Sequence, residues 1–322
     1  MKQRKLGKTN WDVSEIGFGG WGIGANWWGT TNDKESIAAL KAAHAAGINF
    51  FDTAYVYGDG HSERLMAKAL PAITLIATKI PPKNQEWPGN PKTPVNNVFP
   101  KEWIVSCTER SLKNLQRETL DLTQFHVWSD AWLDDDEWKR TVEDLKAAGK
   151  IRAFGVSIND HQPDSALKLV ASGLVDTVQV IFNIFDQTPA KNLFPLCIKH
   201  KVGVIVRVPL DEGGLSGALT LDTKFEKGDF RSQYFRGDNL RQTVERVERL
   251  KALVGNEAKT IPELALKFAL AHEAVSTVIV GMRKLRNVEA NAGISGTKPL
   301  SPKTLAALRE QAWPRNFYGW WE

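Results

Sequence analysis

The chain is poor in cysteine. Only Cys107 and Cys197 occur among 322 residues, far apart and without metal-ligand spacing. A disulfide framework and a thiolate metal cluster are therefore not expected, and a reduced, cytoplasmic setting is. Long apolar runs are missing too: Met1 to Asn10 is basic but leads into no apolar segment, and no stretch is long enough to span a bilayer. Nor is there a dense basic block. The net charge is +5, but Lys and Arg are dispersed, which argues against nucleic acid and leaves room for a small anionic ligand. No low-complexity tract or composition shift marks a linker. No GxGxxG follows the first strand, because Gly17, Gly19, Gly20 and Gly22 are spaced differently and run into Trp27-Trp28. An open dinucleotide-binding sheet thus lacks its signature.

What is present is a strict alternation of period-2 and period-3.6 segments. After a hairpin over residues 2 to 14, turning at Gly7 to Asn10, strands are expected at Ile16–Gly20, Ile48–Phe51, Ile73–Thr78 and Leu120–Val127. Four more follow at Ile151–Val156, Thr177–Ile181, Val202–Val208 and Ser276–Val280. Helical patterns separate them. Asn32 or Asp33 caps one; Thr260-Ile261-Pro262-Glu263 opens another with a Thr cap, an early Pro and a Glu three residues on. Two long loops interrupt the rhythm, a proline-rich one over 81–100 and a second from Pro209 to about Gly237. Eight strand–helix units predict an α/β chain, a single-domain (β/α)8 TIM barrel over residues 1–322. It has an N-terminal β-hairpin and long loops at the C-terminal face.

In such a barrel the strand C-termini converge on one rim. Asp52 ends the second strand and Tyr57 lies in the loop after it, within Phe50-Phe51-Asp52-Thr53-Ala54-Tyr55-Val56-Tyr57-Gly58. Lys79 ends the third strand and His126 the fourth. Each has an ordinary structural reading: a turn acid, a packing phenol, a surface cation, a core imidazole. Together they suit proton transfer to or from an oxygen. Tyr57 is the donor, Lys79 eases its ionisation, Asp52 holds Lys79, and His126 orients the oxygen. A Schiff-base lyase using Lys79 is a chemical alternative, opposed by the nearby Asp52.

The chain resembles the aldo-keto reductases nearly end to end. The resemblance is carried by Phe51-Asp52-Thr53-Ala54, Tyr57-Gly58, Ser62-Glu63, Ala77-Thr78-Lys79, Ser111-Leu112 with Leu115, and Asp121-Leu122-Thr123-Gln124-Phe125-His126. It continues through Gly155-Val156-Ser157, Gln179 with Asn183, Pro209-Leu210, and Val280-Gly281-Met282-Arg283 with Asn291. The resemblance implies an NAD(P)H-dependent oxidoreductase acting on an aldehyde, ketone or sugar carbonyl, or in reverse. It puts the family's tetrad on Asp52, Tyr57, Lys79 and His126, with no metal. Ser157, Asn159 and Gln179 would hold the nicotinamide carboxamide, beside Gly20 and Trp21. Pro209, Leu210, Gly213, Gly214, Leu215 and Gly217 would cover the pyrophosphate. Gly281, Met282, Arg283, Asn287 and Asn291 would take the adenosine end. NADPH is the expected cofactor, with NADH possible, because cations open the helix that follows the eighth strand.

Three features depart from the family pattern: Ile158 separates Ser157 from Asn159; Arg207 stands where a stacking aromatic is common, and would meet the cofactor by stacking its guanidinium plane or by contacting the pyrophosphate; and Asn287 and Ala290 replace a common Arg and Glu. Twelve tryptophans cluster near the expected loops. Trp28, Trp87 and Trp128, with the Trp320-Trp321 tail, are candidates for a substrate pocket. A nucleotide-sensing regulatory subunit with vestigial turnover is the alternative function.

Overall fold

An antiparallel pair, β1 (Gln3–Lys5) and β2 (Asp12–Ser14), precedes eight parallel strands in this computed structural model, which describes residues 1–25 and 27–319. Those strands are β3 (Ile16–Gly19), β4 (Phe50–Asp52), β5 (Leu75–Ile80), β6 (Leu120–Phe125), β7 (Ile151–Ser157), β8 (Thr177–Ile181), β9 (Gly203–Arg207) and β10 (Val275–Gly281). They pair in chain order, and β10 closes on β3 with Val278 opposite Ile16 and Gly281 opposite Gly19. The expected (β/α)8 barrel and its N-terminal hairpin are the fold observed.

Alternation along the strands stacks the barrel interior in layers. Phe50, Ala77, Leu122, Ala153, Ile205 and Ile279 form an apolar plug, and the hairpin adds Leu6 and Val13 to it from below. Each buried large aliphatic or aromatic side chain contributes roughly 1.5–3 kcal/mol. Two residues further along the same strands, the same face carries Asp52, Lys79, Gln124, Gly155, Arg207 and Gly281. The layer above the plug is therefore polar and lies at the C-terminal mouth.

The caps form as the sequence predicts. The Asn32 side chain accepts from the backbone N–H of Lys34 and Glu35, and Thr260 accepts from that of Glu263. Several boundaries differ. β5 runs on to Ile80, which puts Lys79 inside the strand, and β6 stops at Phe125, which leaves His126 just beyond it. The helical segments after β7 and β8 open as 3₁₀ turns at Pro163–Ala166 and Thr188–Ala190, each carrying its proline in the first turn. Both long loops follow strands, at the mouth. Among the described residues no helix is long and apolar enough to cross a membrane.

Candidate active site

Parallel pairing of β4 and β5 sets Asp52 opposite Ala77, so its carboxylate meets the side chain two residues on, that of Lys79. Lys79 Nζ lies 2.6 and 2.8 Å from the two carboxylate oxygens, 2.8 Å from the Thr53 carbonyl and 3.4 Å from the Tyr57 hydroxyl. Both members of the ion pair are buried. Tyr57 is fixed by close backbone approach: a Cβ at Gly24 would lie 2.6 Å from the Tyr57 carbonyl oxygen, and one at Gly58, where φ is +69°, would lie 1.9 Å from the Gly24 oxygen. Trp21 stacks on the phenol at 6.3 Å between centroids. The His126 ring stands edge-on to Tyr57 at 5.9 Å and to Trp87 at 4.7 Å.

Burial raises the Asp52 carboxyl and lowers the Lys79 ammonium, each opposed by the other's charge. Burial, then the Asp52 charge, pushes the Tyr57 phenol well above 10.0. Burial, then Lys79 and Arg207, pushes His126 well below 6.5. Lys79 stands within 3.4 Å of the Tyr57 hydroxyl, while burial sets the phenol of the unliganded site. Asp52 neutralises the ammonium at closer range, and desolvation dominates the phenol. The result is a protonated phenol and a neutral imidazole, two uncharged groups facing one region above a charged pair. A free amine for Schiff-base chemistry is not available, because Lys79 has Asp52, Thr53 and Tyr57 as partners.

Around this centre the other polar residues divide. Gln179 donates to Asp52 at 2.7 Å, extending the tetrad's network to β8. Ser157 is buried at the end of β7. Asn159 is a correction: its oxygen accepts from the backbone N–H of Gly89 and Trp128, and its nitrogen donates to the Gly89 carbonyl and Gln162. All four of its hydrogen-bonding capacities are engaged within the chain, so it pins the 81–100 loop to the mouth. Arg207 donates to the Ile158 carbonyl at 2.8 Å and to Asp160 at 2.7 Å. The position where the family has a stacking aromatic therefore carries an ion pair.

Of the tryptophans, Trp87 stands edge-on to His126. Trp128 is corrected: it is fully buried among Phe125, Trp132 and Trp138, donating to Asp130. Its side chain turns outward into the barrel–helix shell, away from the mouth. Trp28 sits one ring further out than expected, edge-on to Trp21 at 5.6 Å and 4.9 Å from Arg231. Trp320 and Trp321 lie outside the described residues. The loop after β9 crosses to the loop after β3, where Phe230 N–H donates to the Trp27 carbonyl and Thr30 N–H to Glu226.

A barrel whose mouth gathers Asp, Tyr, Lys and His from three successive strand ends can be compared with known proteins. The profile of the Aldo/keto reductase family matches residues 15–312. The chain belongs to the aldo/keto reductase family.

The chain is 30% identical over 304 residues to aldo-keto reductase YhdN of Bacillus subtilis (strain 168), covering 92% of this chain and 89% of that protein. It is 27% identical to the NADH-specific methylglyoxal reductase of Escherichia coli (strain K12), covering 97% and 98%. The structure of the glycerol dehydrogenase from Gluconobacter oxydans is similar at a TM-score of 0.78 and 30% identity, covering 96% and 94%. The protein is an oxidoreductase of this family, whose cofactor is NADP(H) or NAD(H).

The aldo/keto reductase's own residues fit such a dinucleotide. Gly213 and Gly217 have φ of +95° and +70°, which keeps the loop backbone close to the mouth. A cavity of about 240 Å³ opens between the loops after β3 and β9 and the start of the helix Leu285–Ala292. Trp28, Thr30, Asn32, Lys224, Arg283 and Lys284 are among its walls. Burial and the neighbouring Arg231 lower the Arg283 guanidinium from its ordinary value, while Arg231 itself is held bidentate by Asp229. Among the described residues neither Arg283 nor Lys284 is in an ion pair. A half-buried guanidinium and an exposed ammonium at a helix start suit a phosphate, in a cavity that Glu35, Glu226 and Asp229 also line. Leu215 and Met282 are fully buried, Asn291 is buried on the inner side of the helix, and Asn287 is exposed. Gly20 and Trp21 lie at the mouth beside Asp52 and Tyr57. Sequence reasoning missed Asp160, the partner of Arg207, and the links from Asp211 and Glu212 of the Pro209–Gly217 loop to Tyr234, Arg315 and Tyr318. Their separations, 104 residues for Arg315 and Asp211, leave no local signal.

Proposed function

We propose that the protein reduces a small aldehyde, ketone or sugar carbonyl with NADPH, and oxidises the corresponding alcohol in reverse. One observation carries this: the Tyr57 hydroxyl stands 3.4 Å from Lys79 Nζ, which Asp52 holds from both carboxylate oxygens. When bound, the nicotinamide supplies the hydride. Tyr57 donates its proton to the carbonyl oxygen as charge develops there. Lys79, within reach of the same phenol oxygen, stabilises the phenolate left behind, and Asp52 and Gln179 hold Lys79 and each other in register. The neutral His126 orients the oxygen without adding a competing charge. Positioned acid catalysis of this kind contributes on the order of 100- to 10,000-fold.

The half-buried Arg283, in no ion pair among the described residues, supports NADPH over NADH, since the extra ribose phosphate supplies an anion for it. The names of two similar proteins, a glycerol dehydrogenase and a methylglyoxal reductase, support a small, oxygen-rich substrate. The test is turnover with a panel of aldehydes, ketones and sugars and both nicotinamide cofactors. Tight cofactor binding without turnover on any of them would overturn the reading and favour the nucleotide-sensing regulatory subunit.

A further inference from the structure

The loop after β9 is bent against its own sequence. Val208, Asp211 and Glu212 have φ of 54°, 52° and 52°, a region costly for side-chain-bearing residues and most of all for a β-branched one. Such a shape persists only where neighbours impose it, and each strained residue has an external partner. The Val208 carbonyl accepts from Asn183 at 3.0 Å. The Asp211 carboxylate lies 2.6 Å from Arg315 Nη2 at both oxygens and accepts from the Tyr234 hydroxyl. Glu212 accepts from the Tyr318 hydroxyl.

Arg315 and Tyr318 belong to the segment after the last helix, which has no secondary structure until residue 319. That segment is nonetheless anchored. Trp313 N–H donates to the Phe185 carbonyl at 2.7 Å, Arg246 lies 4.1 Å over the Trp313 ring, and Arg315 lies 4.3 Å over it from within the segment. Asp211, Glu212, Tyr234 and Tyr318 are all buried. A buried ion pair with one member on each side resists opening, because separation leaves an uncompensated charge.

We infer that Arg315 and Tyr318 are positioning residues for the cofactor: they hold the Val208–Gly217 loop in the strained shape that presents its backbone to the dinucleotide. The inference rests on the reading of that loop as the cofactor's cover. Neither residue touches Asp52, Tyr57, Lys79 or His126 in a hydrogen bond, so their loss acts on cofactor affinity and leaves the proton-transfer groups in place.

The experiment uses the full chain with Tyr318→Phe and, separately, Arg315→Gln. Tyr318→Phe keeps the ring packing and serves if Arg315→Gln fails to fold. Amide exchange of residues 208–217 is followed without cofactor and with NADPH, and NADPH dissociation constants and turnover at saturating NADPH are measured alongside. In the unaltered chain NADPH slows exchange in the loop. Tyr318→Phe speeds exchange there without cofactor and weakens NADPH about fivefold, the worth of one neutral hydrogen bond. Its turnover at saturating NADPH stays within about twofold, because the transition-state contacts are untouched. If NADPH leaves loop exchange unchanged in the unaltered chain, the reading of the loop as the cofactor's cover fails. If NADPH protects the loop but both folded variants keep the original exchange and affinity, the positioning role is overturned.

Discussion

Lys79 Nζ sits 2.6 Å and 2.8 Å from the two carboxylate oxygens of Asp52, in a pair sealed from solvent between an apolar plug and the barrel mouth. Two charges that close cancel each other at a distance while keeping their geometry. This makes the pair a rigid platform that keeps Lys79 within 3.4 Å of the Tyr57 hydroxyl.

Asp52→Asn should therefore cost stability as well as activity. The substitution keeps the shape but strands a buried ammonium, at roughly 3–5 kcal/mol. Denaturant unfolding near neutral pH checks the loss. The double variant Asp52→Asn/Lys79→Met should be less destabilised than the sum of the singles, since the stranded charge is gone.

Tyr57→Phe removes the proton donor and little else. Turnover should fall on the order of 100- to 10,000-fold, with the NADPH dissociation constant and the unfolding midpoint nearly unchanged. Steady-state kinetics with cofactor titration by fluorescence decides it, and turnover close to that of the unaltered chain would take the acid role from Tyr57.

The Glu212 carboxyl is pushed up from 4.5 to about 8, chiefly by burial, against the opposing effects of the Tyr318 hydrogen bond and Arg207; Asp160 and Asp211 add to the rise. Between those two values the folded chain holds a proton that the unfolded chain has lost. Stability from this group is complete below about pH 4.5 and declines as pH rises toward 8, by at most ~1.4 kcal/mol per pH unit. Glu212→Gln should flatten that decline and make the protein more stable than the unaltered chain near pH 8. Urea midpoints taken across the range would show it; parallel curves would mean that Glu212 ionises normally.

Arg283→Ala should weaken NADPH about tenfold or more at low salt, the scale of a charge-assisted hydrogen bond. NADH, lacking the extra phosphate, should change by about twofold at most, and added salt should shrink the difference. Paired dissociation constants for both cofactors at low and high ionic strength test this directly. An equal loss for both cofactors would move Arg283 away from the ribose phosphate.

The sequence by itself determined the repeating units and the four residues of the tetrad. Strand and helix periods are local, caps such as Asn32 and Thr260 act within one turn, and alternation along a strand fixes which residues face inward. Once eight parallel strands are counted, Asp52, Lys79 and His126 must share a rim, and Tyr57 follows in the next turn. Only the tertiary structure decided how each inward side chain is employed. Asn159 read as a ligand and proved a fully bonded pin of the 81–100 loop. Trp128 read as a pocket wall and packs in the shell, and Arg207 pairs with Asp160 across 47 residues. The strained turn at Val208, Asp211 and Glu212 had no sign in the chain, because what holds it comes from Arg315 and Tyr318 near the other end. Hydrogen-bond capacity and charge compensation are settled between groups that meet only after folding, so no local pattern encodes them.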